Sequence, residues 1–150
     1  MGASKAMQRL LRIREIEEEQ RRLALESSLG ELRNLERARD GAGARERKGR
    51  ELVGASAVSG ELADRQAGHL ESVAARRHIR AMAPRIAASK AEEMRLRQEF
   101  LEKRVERRQA ETLIEESAAK DAAQTGRRSQ QGLDDWFGSR RHRDQGRSES

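Results

Sequence analysis

The chain has 150 residues, with 32 Lys and Arg against 26 Asp and Glu, a net charge of +6 and a pI near 10.6. Charged residues make up 39% and hydrophobic residues 35%, with two Phe, one Trp, no Tyr and no Cys. Too few aromatic side chains are present for a thick multilayer core, and without cysteine there is no disulfide, zinc–thiolate site or cysteine nucleophile. No apolar run approaches the ~20 residues needed to span a bilayer, and the N-terminus lacks the continuous apolar core of a signal peptide, so a cytoplasmic protein is expected. Many charges with low hydrophobicity would also suit an unfolded chain. Ala, Glu, Lys, Leu and Arg in helical period instead mark a long helix or coiled coil.

Met7 to Leu35 reads as helix throughout. Leu10, Ile13, Ile16 and Leu23, then Leu25, Leu29, Leu32 and Leu35, recur at helical spacing and form a narrow stripe among charges. Such a stripe buries itself against another helix rather than inside a globular core. Ser4 is the natural N-cap, although Met7 stands where a capping box would place Glu or Gln. Arg14–Glu18 at i,i+4 helps by ~0.2–0.5 kcal/mol and Glu15–Glu19 opposes by a similar amount, so surface charge does not hold the helix. The first helix is assigned to residues 1–53 and would span about 75 Å at 1.5 Å per residue.

Gly41, Gly43, Gly49, Gly54 and Gly60 each cost a helix about 1 kcal/mol relative to Ala. The stretch from Asp40 is therefore expected to thin or fray, and to reverse over residues 54–60, where two glycines and two serines suit a turn between antiparallel helices. A second, longer helix is assigned to residues 61–137, its stripe marked by Leu62, Leu70, Val73, Ile79, Met82 and Ile86, then Leu96, Phe100, Ala110 and Ile114. Ser89, Glu93, Lys103 and Arg107 share that register, which makes the pairing soft. Pro84 is expected to kink or break this helix, because it removes a backbone bond and clashes with the preceding turn. Residues 138–150 are basic, polar and expected to be disordered. The fold class is all-α: a long two-helix antiparallel coiled coil whose C-terminal helix overhangs the N-terminus.

The string Leu10-Leu11-Arg12-Ile13-Arg14-Glu15-Ile16-Glu17-Glu18-Glu19-Gln20 resembles the start of the FliJ proteins of the bacterial flagellar export apparatus. Arg127-Arg128-Ser129-Gln130-Gln131-Gly132-Leu133-Asp134-Asp135-Trp136-Phe137 resembles their close. Asp40 to Ala75 matches poorly, and its glycines depart from a continuous first helix. The resemblance implies a two-helix coiled coil similar to the central shaft subunit of rotary ATPases. It implies as partners the hexameric export ATPase, the cytoplasmic domain of the export gate and the export chaperones, with a peripheral position at the inner membrane. The YscO proteins of virulence type III secretion are the sister group and the alternative within this class, with the flagellar family preferred.

Trp136 and Phe137, on an unpaired helix end, are the sharpest docking candidates, since exposed aromatic residues on an amphipathic helix anchor it in partner grooves. Leu133, Asp134 and Asp135 accompany them, and Arg127, Arg128, Arg140, Arg141 and Arg143 flank them. The alternative is that the aromatic pair folds back on Met7 and Leu10. By resemblance the arginines would meet an acidic ring lumen and the region of Leu70, Val73, Ile79, Met82 and Ile86 would touch the export gate. The latter five equally suit a seam facing the first helix.

No catalytic constellation emerges. His69, His78 and His142 have no partner set by spacing. Glu15 to Glu19 diverge around a helix instead of converging as a cation site requires. Gly41-Ala42-Gly43-Ala44-Arg45 lacks the Lys-Ser/Thr of a phosphate loop. No enzyme activity and no cofactor is expected. A basic helical nucleic-acid binder is the rival class, weakened by interleaved acidic residues and the absence of a stacking platform. A purely structural homodimeric coiled coil is a third possibility.

Overall fold

A computed structural model describes residues 4–149; Met1 to Ala3, expected as a short tail, and Ser150 lie outside the described residues. Two helices account for nearly all of it: α1, Lys5–Ser59, and α2, Leu62–Ser148, packed against each other as an all-α helical hairpin. Contacts group the chain into two units, Glu18–Lys103 and the pair of segments Met1–Glu17 with Arg104–Ser150.

Helix α1 begins as its sequence dictates. The Ser4 Oγ accepts from the Met7 backbone N–H at 3.2 Å and the Ser4 carbonyl accepts from the Gln8 N–H at 3.1 Å. The first bond satisfies one of the otherwise orphaned N-terminal donors, and the second is the first bond of the helix itself.

The reversal is tighter than residues 54–60. Helix α1 continues to Ser59, and the chain turns over Gly60 and Glu61 alone. Gly60 has φ of +74° and donates its N–H to the Ser56 carbonyl at 2.8 Å. That is the single-bond left-handed cap in which glycine pays no Cβ penalty. Residues 54–59 stay helical because Ser56 is buried and donates its hydroxyl to the Val53 carbonyl at 2.7 Å. Inter-helix packing there outweighs the propensity cost of Gly54.

In the unit Glu18–Lys103, α1 contributes Leu25, Ser28, Leu32, Leu35, Arg39, Ala42, Glu46, Gly49, Val53 and Ser56 to the seam, all buried or half-buried. Helix α2 contributes Gly68, Ser72, Ala75, Ile79, Met82, Ile86, Ser89, Glu93, Leu96, Phe100 and Lys103. Both runs alternate steps of three and four, the repeat of a coiled coil. Where Gly49 meets Gly68 the two backbones nearly touch. A Cβ on Gly49 would lie 2.6 Å from the Gly68 carbonyl oxygen, and one on Gly68 would lie 2.6 Å from the Gly49 carbonyl oxygen. These glycines, read from sequence as helix weakeners, are what lets the hairpin close.

Pro84 does not break α2, which runs unbroken through it. Buried Met82 and Ile86 lie on either side, whereas Pro84 and Arg80 are exposed. The missing bond therefore lies on the exposed side of the helix, away from the seam, which limits its cost.

In the unit formed by Met1–Glu17 and Arg104–Ser150, Met7, Leu11 and Arg14 are half-buried, as are Arg107 and Ile114, and Ala110 is buried. Arg14 crosses to α2 and donates to Glu106 at 3.0 Å. Leu10, Ile13 and Ile16, expected in the seam, are exposed, and so is Leu23 of the other unit. Steps of three drift away from a heptad. The phase is set instead by Leu25, Leu32 and Leu35, which extrapolate back to Leu11 and Arg14. Leu62 and Leu70 of α2 are likewise exposed.

Helix α2 also passes residue 137, and the expected disordered tail is helical to Ser148. Arg140, Arg141, Arg143 and Arg147 are good helix formers. Arg147 lies in the last turn, where a cation suits the helix dipole, and the Ser148 hydroxyl donates to the Gln145 carbonyl at 2.9 Å.

Candidate partner-docking helix

Every described residue from Ala122 to Glu149 is exposed. This part of α2 has no partner helix and holds itself by local contacts. The Thr125 hydroxyl donates to the Asp121 carbonyl at 2.9 Å, and Gln130 donates from Nε2 to Asp134 Oδ1 at 3.2 Å. Trp136 and Phe137 meet edge to face, with ring centroids 5.0 Å apart and planes at 74°. The Arg140 guanidinium lies over the indole, 5.3 Å from its centroid, one turn further along. Edge-to-face pairs and cation–π stacks both hold side chains in fixed positions. The aromatic pair does not fold back on the first turns of α1: Trp136 is 52% and Phe137 53% exposed.

Trp136, Arg140, Arg143, Asp144 and Arg147 line a shallow concavity of about 330 Å³ along the helix. At about 100° per residue these side chains, with Leu133 and Phe137, share one face. Among the residues singled out from sequence, Leu133, Trp136, Phe137, Arg140 and Arg143 therefore come together. Arg127, Arg128, Asp134, Asp135 and Arg141 fall on other sides of the helix. Asp144 and Arg147 were missed, because they lie in the segment expected to be disordered; their i, i+3, i+4 spacing from Arg140 and Arg143 is the signal that could have found them.

The residues of the possible gate contact do not form one surface. Met82 and Ile86 are buried at 2% and 5% exposure, Val73 and Ile79 are half-buried, and Leu70 is exposed. Met82 and Ile86 belong to the seam and can be reached only by opening the hairpin.

Charged side chains elsewhere pair with each other. Glu46, almost fully buried, accepts from Arg50 Nε at 2.6 Å and from Arg76 Nε across the hairpin at 3.1 Å. Hydrogen bonds from Arg50 and then Arg76 hold its carboxyl below the usual carboxylate range. Glu19 is lowered in the same way by Arg22. Among the described residues no group of three or more His, Cys, Asp or Glu side chains converges to hold a metal ion, and no helix is long and apolar enough to cross a membrane. His69, His78 and His142 are exposed.

The chain matches no protein-family model, no curated protein and no solved structure.

Proposed function

We propose that the chain is the central stalk, or coupling component, of a type III protein-export apparatus of the flagellar FliJ kind, with the YscO-type virulence stalk as the alternative within the class. It binds the hexameric export ATPase ring and links it to the export gate and the export chaperones, and it carries no chemistry of its own. The observation that carries this reading is the unpartnered end of α2, which presents Leu133, Trp136 and Phe137 to solvent beyond the paired helices. A helical hairpin that leaves one helix single and armed with aromatic residues is built to insert into something else. The two strings at opposite ends of the chain that resemble FliJ proteins supply the identity of that partner.

The test is the rate of ATP hydrolysis by the cognate export ATPase, with and without the protein at one copy per ring. Stimulation accompanied by hexamer assembly is expected. Trp136→Ala with Phe137→Ala should weaken ATPase binding by about tenfold or more, the effect of losing buried aromatic anchors, and leave helicity unchanged. Undiminished binding by the double variant would remove the helix end from the mechanism. No binding by the wild-type chain would leave a helical hairpin without an export role.

A further inference from the structure

In the unit that contains the end of α2, the seam runs through Arg107, Ala110, Ile114, Ser117 and Asp121 at alternating steps of three and four. Continued at the same steps, it falls on Gln124, Arg128, Gln131, Asp135, Gly138 and His142. None of these is apolar. The paired stretch keeps Ala110 and Ile114 among its polar seam members, whereas the continued seam offers no apolar side chain to bury, so the end of α2 is not an unfinished length of hairpin.

Its apolar residues stand on the other side. At about 100° per residue, Leu133, Trp136, Phe137, Arg140, Arg143 and Arg147 fall within an arc of about 120°, roughly opposite the continued seam. Along that arc the chemistry changes with direction. The first turn and a half is apolar and aromatic. The next two turns carry three arginines and Asp144 around the concavity of about 330 Å³. Arg140 joins the halves, because its guanidinium is stacked on Trp136.

Charge decides among occupants. Antiparallel pairing of two copies through this face, about a two-fold axis between residues 134 and 135, would set Arg140, Arg143 and Arg147 against Ser129, Gly126 and Ala122, which offer no carboxylate. The apolar groove beside Ile13 is no better as a seat, because Lys5, Arg9 and Arg12 line it and repel the arginine half. A bilayer surface would receive three apolar side chains, with Asp134 and Asp135 next to them, far less than an interfacial helix buries. A protein groove that supplies both an apolar wall and carboxylates fits both halves. Arginine's planar fork pairs with carboxylates two bonds at a time, and aromatic anchors fill apolar pockets.

We propose that the end of α2 docks through this outer face, and in one direction, into a protein groove that is apolar where it receives Leu133, Trp136 and Phe137 and carboxylate-lined where it receives Arg140, Arg143 and Arg147. The owner of the groove, the export ATPase ring, is taken from the stalk reading, on which this proposal rests. The residues that would continue the seam face away from the groove.

The experiment measures the dissociation constant of the full chain for the assembled cognate export ATPase, with circular dichroism on every variant. Trp136→Ala and the double variant Arg140→Glu with Arg143→Glu should each weaken binding about tenfold or more. Arg140→Lys with Arg143→Lys should bind more weakly than wild type and more tightly than the charge reversal, because the charge is kept and the planar fork is lost. The opposite-face triple variant Gln124→Ala, Gln131→Ala and His142→Ala should stay within about twofold of wild type, as residues outside an interface do. Added salt should weaken the wild type more than the charge-reversed variant. Binding lost in the triple variant but kept in the outer-face variants would overturn the proposal and leave the stalk reading standing. Charge reversal without effect would overturn it too. Failure of the wild-type chain to bind the ATPase would remove the stalk reading and this docking with it. A mixed-sequence single-stranded oligonucleotide bound with the same variant profile would overturn it in favour of a nucleic-acid partner.

Discussion

At the scale of single residues, glycine does two opposite jobs in this chain. Gly49 and Gly68 sit where the α1 and α2 backbones nearly touch, and a Cβ at either would lie 2.6 Å from the other's carbonyl oxygen. Gly41 and Gly54 have open space where a Cβ would go. Gly49→Ala and Gly68→Ala must push the helices apart and should each destabilise the hairpin by about 1–3 kcal/mol, the cost of overpacking. Gly41→Ala and Gly54→Ala should stabilise it by about 0.5–1 kcal/mol through helix propensity alone. Thermal melts of the four variants check this, and the same sign at all four positions would refute the close crossing. Glu46 offers a second test at this scale. Its carboxyl is held low by Arg50 and Arg76. A lowered acid stabilises the fold above its unfolded pKa, and that contribution disappears as pH falls through the folded value. Stability should therefore decline as the solution is taken below the ordinary carboxylate range, and Glu46→Gln should flatten that decline while leaving a less stable protein at neutral pH. Urea melts between neutral and acid pH measure both.

At the scale of elements, the phase of each helix is the quantity that sequence conveyed unevenly. Two antiparallel helices, the Ser4 cap and the α2 register from Ile79 to Ile114 were all legible, because apolar residues recur there at heptad steps. The phase of the start of α1 was not. Leu10, Ile13 and Ile16 are large and apolar and suggest a stripe, yet the paired positions are Leu11, Arg14 and Glu18, two of them charged. Arg14 works in the seam because it reaches Glu106, a partner ninety-two residues away that no local pattern reveals. Gly60 similarly could not be separated from Gly54 as the turning point by composition, since only the backbone angle distinguishes them. The misreading yields a direct comparison. Leu96, 8% exposed, lies in the seam, and Leu23, 52% exposed, lies outside it. Leu96→Ala should cost about 2 kcal/mol or more, whereas Leu23→Ala should stay within about 0.5 kcal/mol of wild type. Equal losses in chemical denaturation would return Leu23 to the seam.

At the scale of the whole molecule, the question is why the chain carries a long stretch of single helix that adds nothing to its own packing. An isolated helix is marginal in water and most helical stability comes from a buried face. Everything described from Ala122 onward is exposed, so it buries none. Its residues include the chain's one Trp and one of its two Phe, the costliest side chains to leave in solvent. The candidate site was legible as a string, through Trp136-Phe137 and the arginines around it, but not as a face, because the helix was expected to end before Asp144 and Arg147 could join. A segment that contributes no burial to the fold can be removed without loss of the fold. Ending the chain after Asp121 should leave the melting temperature within about 2 °C of wild type, since the paired helices lose no seam residue and the shift follows the free-energy change. Helical signal should fall in proportion to the residues removed, and the proposed binding to the export ATPase should be lost. A truncated protein that melts far lower would mean that the end of α2 stabilises the hairpin itself. One that still binds the ATPase at full strength would move the docking surface onto the paired helices, where exposed Leu10, Ile13, Val105 and Leu113 would be the next residues to test.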